Sequence, residues 1–94
     1  MKDNILVEGI LTSLADAKGV DIKLYDVREK SQIADFFVVA TGAAAPHLKA
    51  LIKSLPKGAY RVCGEPESGW IVADYVDVVV HVFSPEARAY YALE

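Results

Sequence analysis

The sequence predicts an α/β domain of the α+β kind, a mixed five-stranded sheet with helices packed on it. The stretch Gly64–Phe83 reads as a β-hairpin, two alternating segments bracketed by Gly, Pro and Ser. Val20–Tyr25 and Asp35–Thr41 have the apolar content of strands, and Tyr60–Gly64 supplies another. Apolar residues recur at helical spacing near the start, the middle and the end of the chain. The expected order is helix, strand, strand, helix, strand, strand, strand, helix, all within one domain spanning 1–94.

Taken in order, Asp3 or Asn4 is expected to cap a helix whose stripe is Val7, Ile10, Leu11 and Leu14, ending at Lys18-Gly19. Val20, Ile22 and Leu24 alternate with Asp21, Lys23 and Tyr25, as in a half-covered strand. A polar link from Asp26 to Gln32 leads to Asp35–Thr41, which Gly42 breaks. Pro46 fits the first turn of a helix carrying Leu48, Leu51, Ile52 and Leu55, closed by Pro56 and Gly58. Ser84-Pro85-Glu86 opens the last helix with a cap, a first-turn proline and an acid at the positive dipole end, ahead of Tyr90, Tyr91 and Leu93.

The hairpin divides into two faces by counting alternate residues. Ile71, Ala73, Val78, Val80 and Val82 have no polar side-chain atom and form a core face. Trp70, Val72, Asp74, Asp77, Val79, His81 and Phe83 form a mixed face. With Tyr75-Val76 as the turn, the expected facing pairs are Asp74/Asp77, Val72/Val79 and Trp70/His81. The mixed face suits recognition, since aromatic anchors inside a polar rim concentrate binding energy. A covered alternative, with a helix or strand over the aromatic half, stays open.

A hydrophobic fraction of 53% is ample for a packed core. No apolar run approaches the ~20 residues of a membrane span, and Met-Lys-Asp-Asn is unlike a signal peptide. The single cysteine, Cys63, is expected to be a small buried hydrophobe in a reducing compartment, which gives a cytoplasmic location. A net charge of −3 argues against the chain gripping nucleic acid by itself, and no sequence-specific nucleic-acid binding is expected. Lys49, Lys53 and Lys57 make a basic ridge at four-residue spacing, which reads as a solvated helix face.

Catalytic chemistry finds little support. Asp74 and Asp77 are too few for a divalent metal and serve equally as turn residues. His47, His81 and Cys63 are not spaced as zinc ligands. His47 at a helix start is a contact for an anion or a structural residue. Thr41-Gly42 before a helix lacks the glycines and lysine of a phosphate-binding loop. No serine is tied to a base. The expectation is a protein without catalytic residues, metal or cofactor.

Asp26-Val27, Lys30-Ser31, Asp35-Phe36-Phe37-Val38, Thr41-Gly42, His47, Gly64-Glu65, Trp70, Asp74 and Asp77-Val78-Val79-Val80-His81-Val82-Phe83 together resemble the ribosomal silencing factor (Iojap-like) family. The resemblance implies a fold related to nucleotidyltransferases without their catalytic machinery. It implies a translation repressor that binds the large ribosomal subunit through its protein fourteen and blocks joining of the small subunit in starvation or stationary phase. Partner contacts are then expected from Trp70, Ile71, Val72, Asp74, Asp77, His81 and Phe83 on the hairpin. A homodimer is also compatible. An assembly role on the large subunit and a residual nucleotide-binding or nucleotidyltransferase activity are the alternatives. Two departures stand out: the 41–64 segment is shorter than usual, and Val76 stands where the family usually has Gly, which points to another turn type.

Overall fold

The computed structural model describes residues 2–29 and 34–91, with side chains described over 5–29 and 34–89. Lys30-Ser31 of the family pattern, the side chains of Asp3 and Asn4, and those of Tyr90, Tyr91 and Leu93 lie outside that description. The elements are α1 (Lys2–Asp16), β1 (Val20–Asp26), β2 (Phe36–Thr41), α2 (Ala45–Ser54), β3 (Arg61–Glu65), a 3-10 turn (Pro66–Ser68), β4 (Trp70–Asp74), β5 (Val78–Phe83) and α3 (Pro85–Tyr91). The five strands form one sheet in the order β1-β2-β5-β4-β3. Only β2 and β5 run parallel; the other neighbours are antiparallel, so the sheet is mixed as expected.

The core lies between α1, α2 and one face of this sheet. Val7, Ile10 and Leu14 from α1 and Leu48, Leu51 and Leu55 from α2 and its end meet Val38, Ala40, Ile71, Ala73, Val78, Val80 and Val82. Each such valine or leucine contributes roughly 1.5–3 kcal/mol by leaving water. Because strand side chains alternate, packing this set fixes which residues face the other way. The division of the hairpin into two faces therefore stands.

Its register does not. Trp70 pairs with Phe83, Val72 with His81 and Asp74 with Val79, so the expected pairs are each displaced by two residues. The reason is at the tip. Tyr75 N–H donates to Val78 O at 2.8 Å, closing the ladder one residue later than expected. Tyr75 is drawn off the turn because its ring packs on the core and its hydroxyl donates to the Pro56 carbonyl. Asp77 N–H then donates to Tyr75 O at 3.0 Å around Val76, whose φ is +76°. The expectation of a turn that spares Val76 a positive φ is thus corrected.

Local differences elsewhere have similar causes. α1 begins at Lys2, which puts Asp3 and Asn4 inside the helix rather than at its cap. It ends in a Schellman motif with Lys18, not Gly19, in the left-handed position. Lys18 N–H donates to Ala15 O and Gly19 N–H to Leu14 O. β1 is broken by a bulge between Val20 and Lys23, where Asp21 has φ +51°, and Val20 and Leu24 stay exposed. β2 starts at Phe36, one residue past Asp35. Ser84 caps α3 as expected, accepting from Ala87 N–H at 3.2 Å.

Candidate functional site

The sheet face turned away from α1 and α2 is built by alternation. β2 sends Phe37, Val39 and Thr41 there, β5 sends Val79, His81 and Phe83, and β4 sends Trp70, Val72 and Asp74. β3 adds Arg61, Cys63 and Glu65 at the rim. α3 sits at the Thr41 end, where the buried Arg88 donates to Thr41 Oγ1 at 2.8 Å and to Asp21 O at 2.7 Å. Its guanidinium also lies 3.5 Å from the Asp21 carboxylate. The Asp21 carbonyl lies within the β1 bulge. Trp70, Val72, Asp74, Val79, His81 and Phe37 all remain partly exposed.

His81 is the hub of an aromatic cluster. Phe37 meets it edge-on at 5.5 Å, Trp70 stacks on it at 6.1 Å, and Phe83 lies parallel at 6.0 Å. Trp70 also stacks on Phe83 at 5.3 Å. Trp70 Nε1–H donates to His81 Nδ1 at 3.3 Å, a bond that needs an unprotonated Nδ1. Burial pushes the His81 pKa down, which favours that neutral form. The indole is therefore held between its hydrogen bond to His81 and its stack on Phe83. Beside it, Cys63, Gly64, Glu65, Ser68, Trp70 and Val72 line a hollow of about 360 Å³.

Two of the expected contact residues are not on this surface. Ile71 is 4% exposed on the core face, and Phe83 is 1% exposed beneath Trp70, so both support the surface without forming it. Cys63, expected to be buried, is exposed because β3 is an edge strand with no layer over this side. Asp74 and Asp77 do not face each other. Asp74 Oδ1 accepts from Val76 N–H at 2.7 Å, and the Asp77 carbonyl accepts from Asp35 and Phe36 N–H. They organise the tip, and Asp77 stays exposed there.

The remaining candidates are structural. His47 Nδ1 accepts from Ala43 N–H at 2.9 Å while Nε2 donates to Ala17 O at 2.9 Å, which ties α2 to the end of α1. Asp26 is the last residue of β1, and its carboxylate accepts from the Arg28 backbone and guanidinium; those bonds hold its pKa below the usual value. Lys49 and Lys53 lie exposed on α2, but Lys57 falls beyond the helix end, so the ridge is interrupted. Among the described residues no group of three potential ligands gathers as a metal site, and no helix is long and apolar enough to cross a membrane. Arg88 escaped the sequence reading. Its only signal was a lone cation at helical spacing on an otherwise uncharged turn, Ala87-Arg88-Ala89.

A mixed sheet with α1 and α2 packed on one face, and an aromatic cluster with α3 at its Thr41 end on the other, defines a small α+β domain. The family model described as ribosomal silencing factor during starvation matches residues 2–94, and the chain belongs to that family. It is 35% identical to ribosomal silencing factor RsfS of Haemophilus influenzae, over 95% of this chain and 94% of that protein. It is 31% identical to the chloroplastic protein Iojap of Arabidopsis thaliana, over 85% of this chain and 36% of that one. A crystal structure of a Chromobacterium violaceum protein superposes with a TM-score of 0.93 at 30% identity, covering all of this chain and 84% of the other. One from Bacillus halodurans gives 0.84 at 28% identity, over 96% and 90%.

Proposed function

We propose that this chain lowers translation by docking on the large ribosomal subunit, through its protein fourteen, and excluding the small subunit. The observation that carries the reading is the partly exposed Trp70, bonded to His81 and flanked by Val72 and Val79, on the sheet face opposite α1 and α2. Such a platform provides an aromatic anchor whose ordering cost is already met before binding. Arg61, Glu65, Asp74 and Asp77 surround it with charge that sets register and suppresses wrong partners. A net charge of −3 suits encounter with a basic ribosomal protein. Inhibition then needs no bond made or broken, only occupation of a surface that another particle must reach. The contact residues in this reading are Trp70, Val72, Asp74, Asp77 and His81, with Ile71 and Phe83 beneath them.

The test is binding of the purified chain to isolated protein fourteen, with Val72→Asp as the variant. A carboxylate placed on the rim of the apolar patch is expected to weaken binding by at least about tenfold, because its desolvation costs more than ~1.4 kcal/mol. Unchanged affinity in the folded variant would move the docking surface off this face.

A further inference from the structure

We propose that the outer edge of β3, together with the groove between β3 and α2, takes an acidic peptide segment as a sixth strand of the sheet. Among the described residues β3 pairs only with β4, and all five of its residues are exposed. An edge strand directs every second pair of backbone N–H and C=O groups outward, a template for another strand unless it is blunted. The opposite edge is blunted: β1 is interrupted by its bulge and Asp21 is engaged by Arg88. β3 carries no proline and keeps an unbroken register with β4 from Arg61 to Glu65, with one irregular backbone position at Gly64, φ +100°.

Side chains beside this edge select the occupant. Val62 points to the helix side of the sheet yet is 51% exposed. With Ile52, Gly64 and Pro66 it lines a groove of about 380 Å³, walled by Lys49 and Lys53 of α2. From Phe36 to Gly64 the chain holds four of its ten basic residues, Lys49, Lys53, Lys57 and Arg61, and none of its thirteen acidic ones. A chain of net negative charge thus keeps cations along this border up to Gly64, with Glu65 and Glu67 only at its far end. The edge offers hydrogen bonds, the groove an apolar slot, and the wall cations. An extended segment alternating apolar and acidic residues satisfies all three at once. Single-stranded RNA would use the cations and at most the exposed Tyr60 ahead of β3, leaving the strand edge unpaired and the aliphatic groove without stacking.

The test variants leave the residues of the aromatic face intact, so failure of this proposal and failure of docking by that face are distinguishable. The probe is a capped heptapeptide alternating glutamate and valine, titrated into the isotope-labelled full chain and followed by amide NMR. Shifts are expected along Arg61–Glu65 and at Lys49 and Lys53, with affinity that falls as salt rises from ~50 to ~300 mM. The double variant Lys49→Glu, Lys53→Glu is expected to weaken binding by about tenfold or more while its spectrum stays dispersed. The same peptide N-methylated at alternate residues on each edge in turn should lose binding for one of the two edges. The proposal is overturned if no shifts appear, if they fall outside this border, or if a lysine-valine peptide binds as well. It is also overturned if a uridine oligonucleotide shifts Lys49 and Lys53 while the acidic peptide does not.

Discussion

Arg88 holds three parts of the chain together with one guanidinium. It bridges α3 to Thr41 on β2 and to the Asp21 carbonyl in the β1 bulge. Thr41 thereby acquires a structural role, as the buried acceptor for a helix that arrives 47 residues later. Arg88→Ala would leave the Thr41 hydroxyl and the Asp21 carbonyl short of a donor, at a cost of about 2 kcal/mol, read as a lower denaturation midpoint. His81 makes a different statement at the same scale. In the fold its pKa is depressed by burial, whereas in the unfolded chain it titrates near 6.5. The unfolded state therefore binds more protons between those two values, and stability falls as pH drops below about 6.5 towards the lowered folded value. Thermal melts from pH 7 to 5 should show this loss, and His81→Phe should flatten it. An equal slope in the variant would mean that other groups govern acid sensitivity.

At the level of elements, the hairpin tip and the β3–β4 pairing are set by backbone conformation. Val76 occupies a positive φ that disfavours a β-branched residue by about 1–2 kcal/mol. Val76→Gly removes that cost and adds back part of it through chain entropy, so a gain of about 1 kcal/mol is expected from chemical denaturation. Gly64 is the converse case. Its φ is +100°, and a Cβ there would lie 2.4 Å from the Trp70 carbonyl oxygen. Gly64→Ala must push β3 off β4 and should cost about 3 kcal/mol or more, with loss of the Trp70 fluorescence environment as a second readout. Alternation made the two hairpin faces legible in the sequence, because burial repeats every second residue whatever the register. The register itself was not legible. It depended on whether Tyr75 joined the turn or the core, and that was decided by Pro56, 19 residues away.

For the molecule as a whole, the layer arrangement was legible and the connections between layers were not. Helical stripes and strand alternation located every helix and strand, since each must bury one side. The sequence could not show that β3 forms an edge, that Cys63 is consequently exposed, or that Ile71 and Phe83 are hidden. Those depend on which strands lie next to which, and on what no layer covers. The consequence for function is that the fold leaves a partly exposed aromatic cluster on the sheet face away from α1 and α2. The most direct measurement is cosedimentation of the chain with purified large and small ribosomal subunits, comparing wild type, folded Trp70→Ala and Ile5→Ser on the exposed side of α1. Wild type and Ile5→Ser are expected to travel with the large subunit and suppress joined ribosomes. Trp70→Ala should lose at least ~2 kcal/mol of binding, about thirtyfold, and do neither. Normal binding by Trp70→Ala, or indifference of the wild type to the large subunit, would contradict a ribosome-docking role for this face.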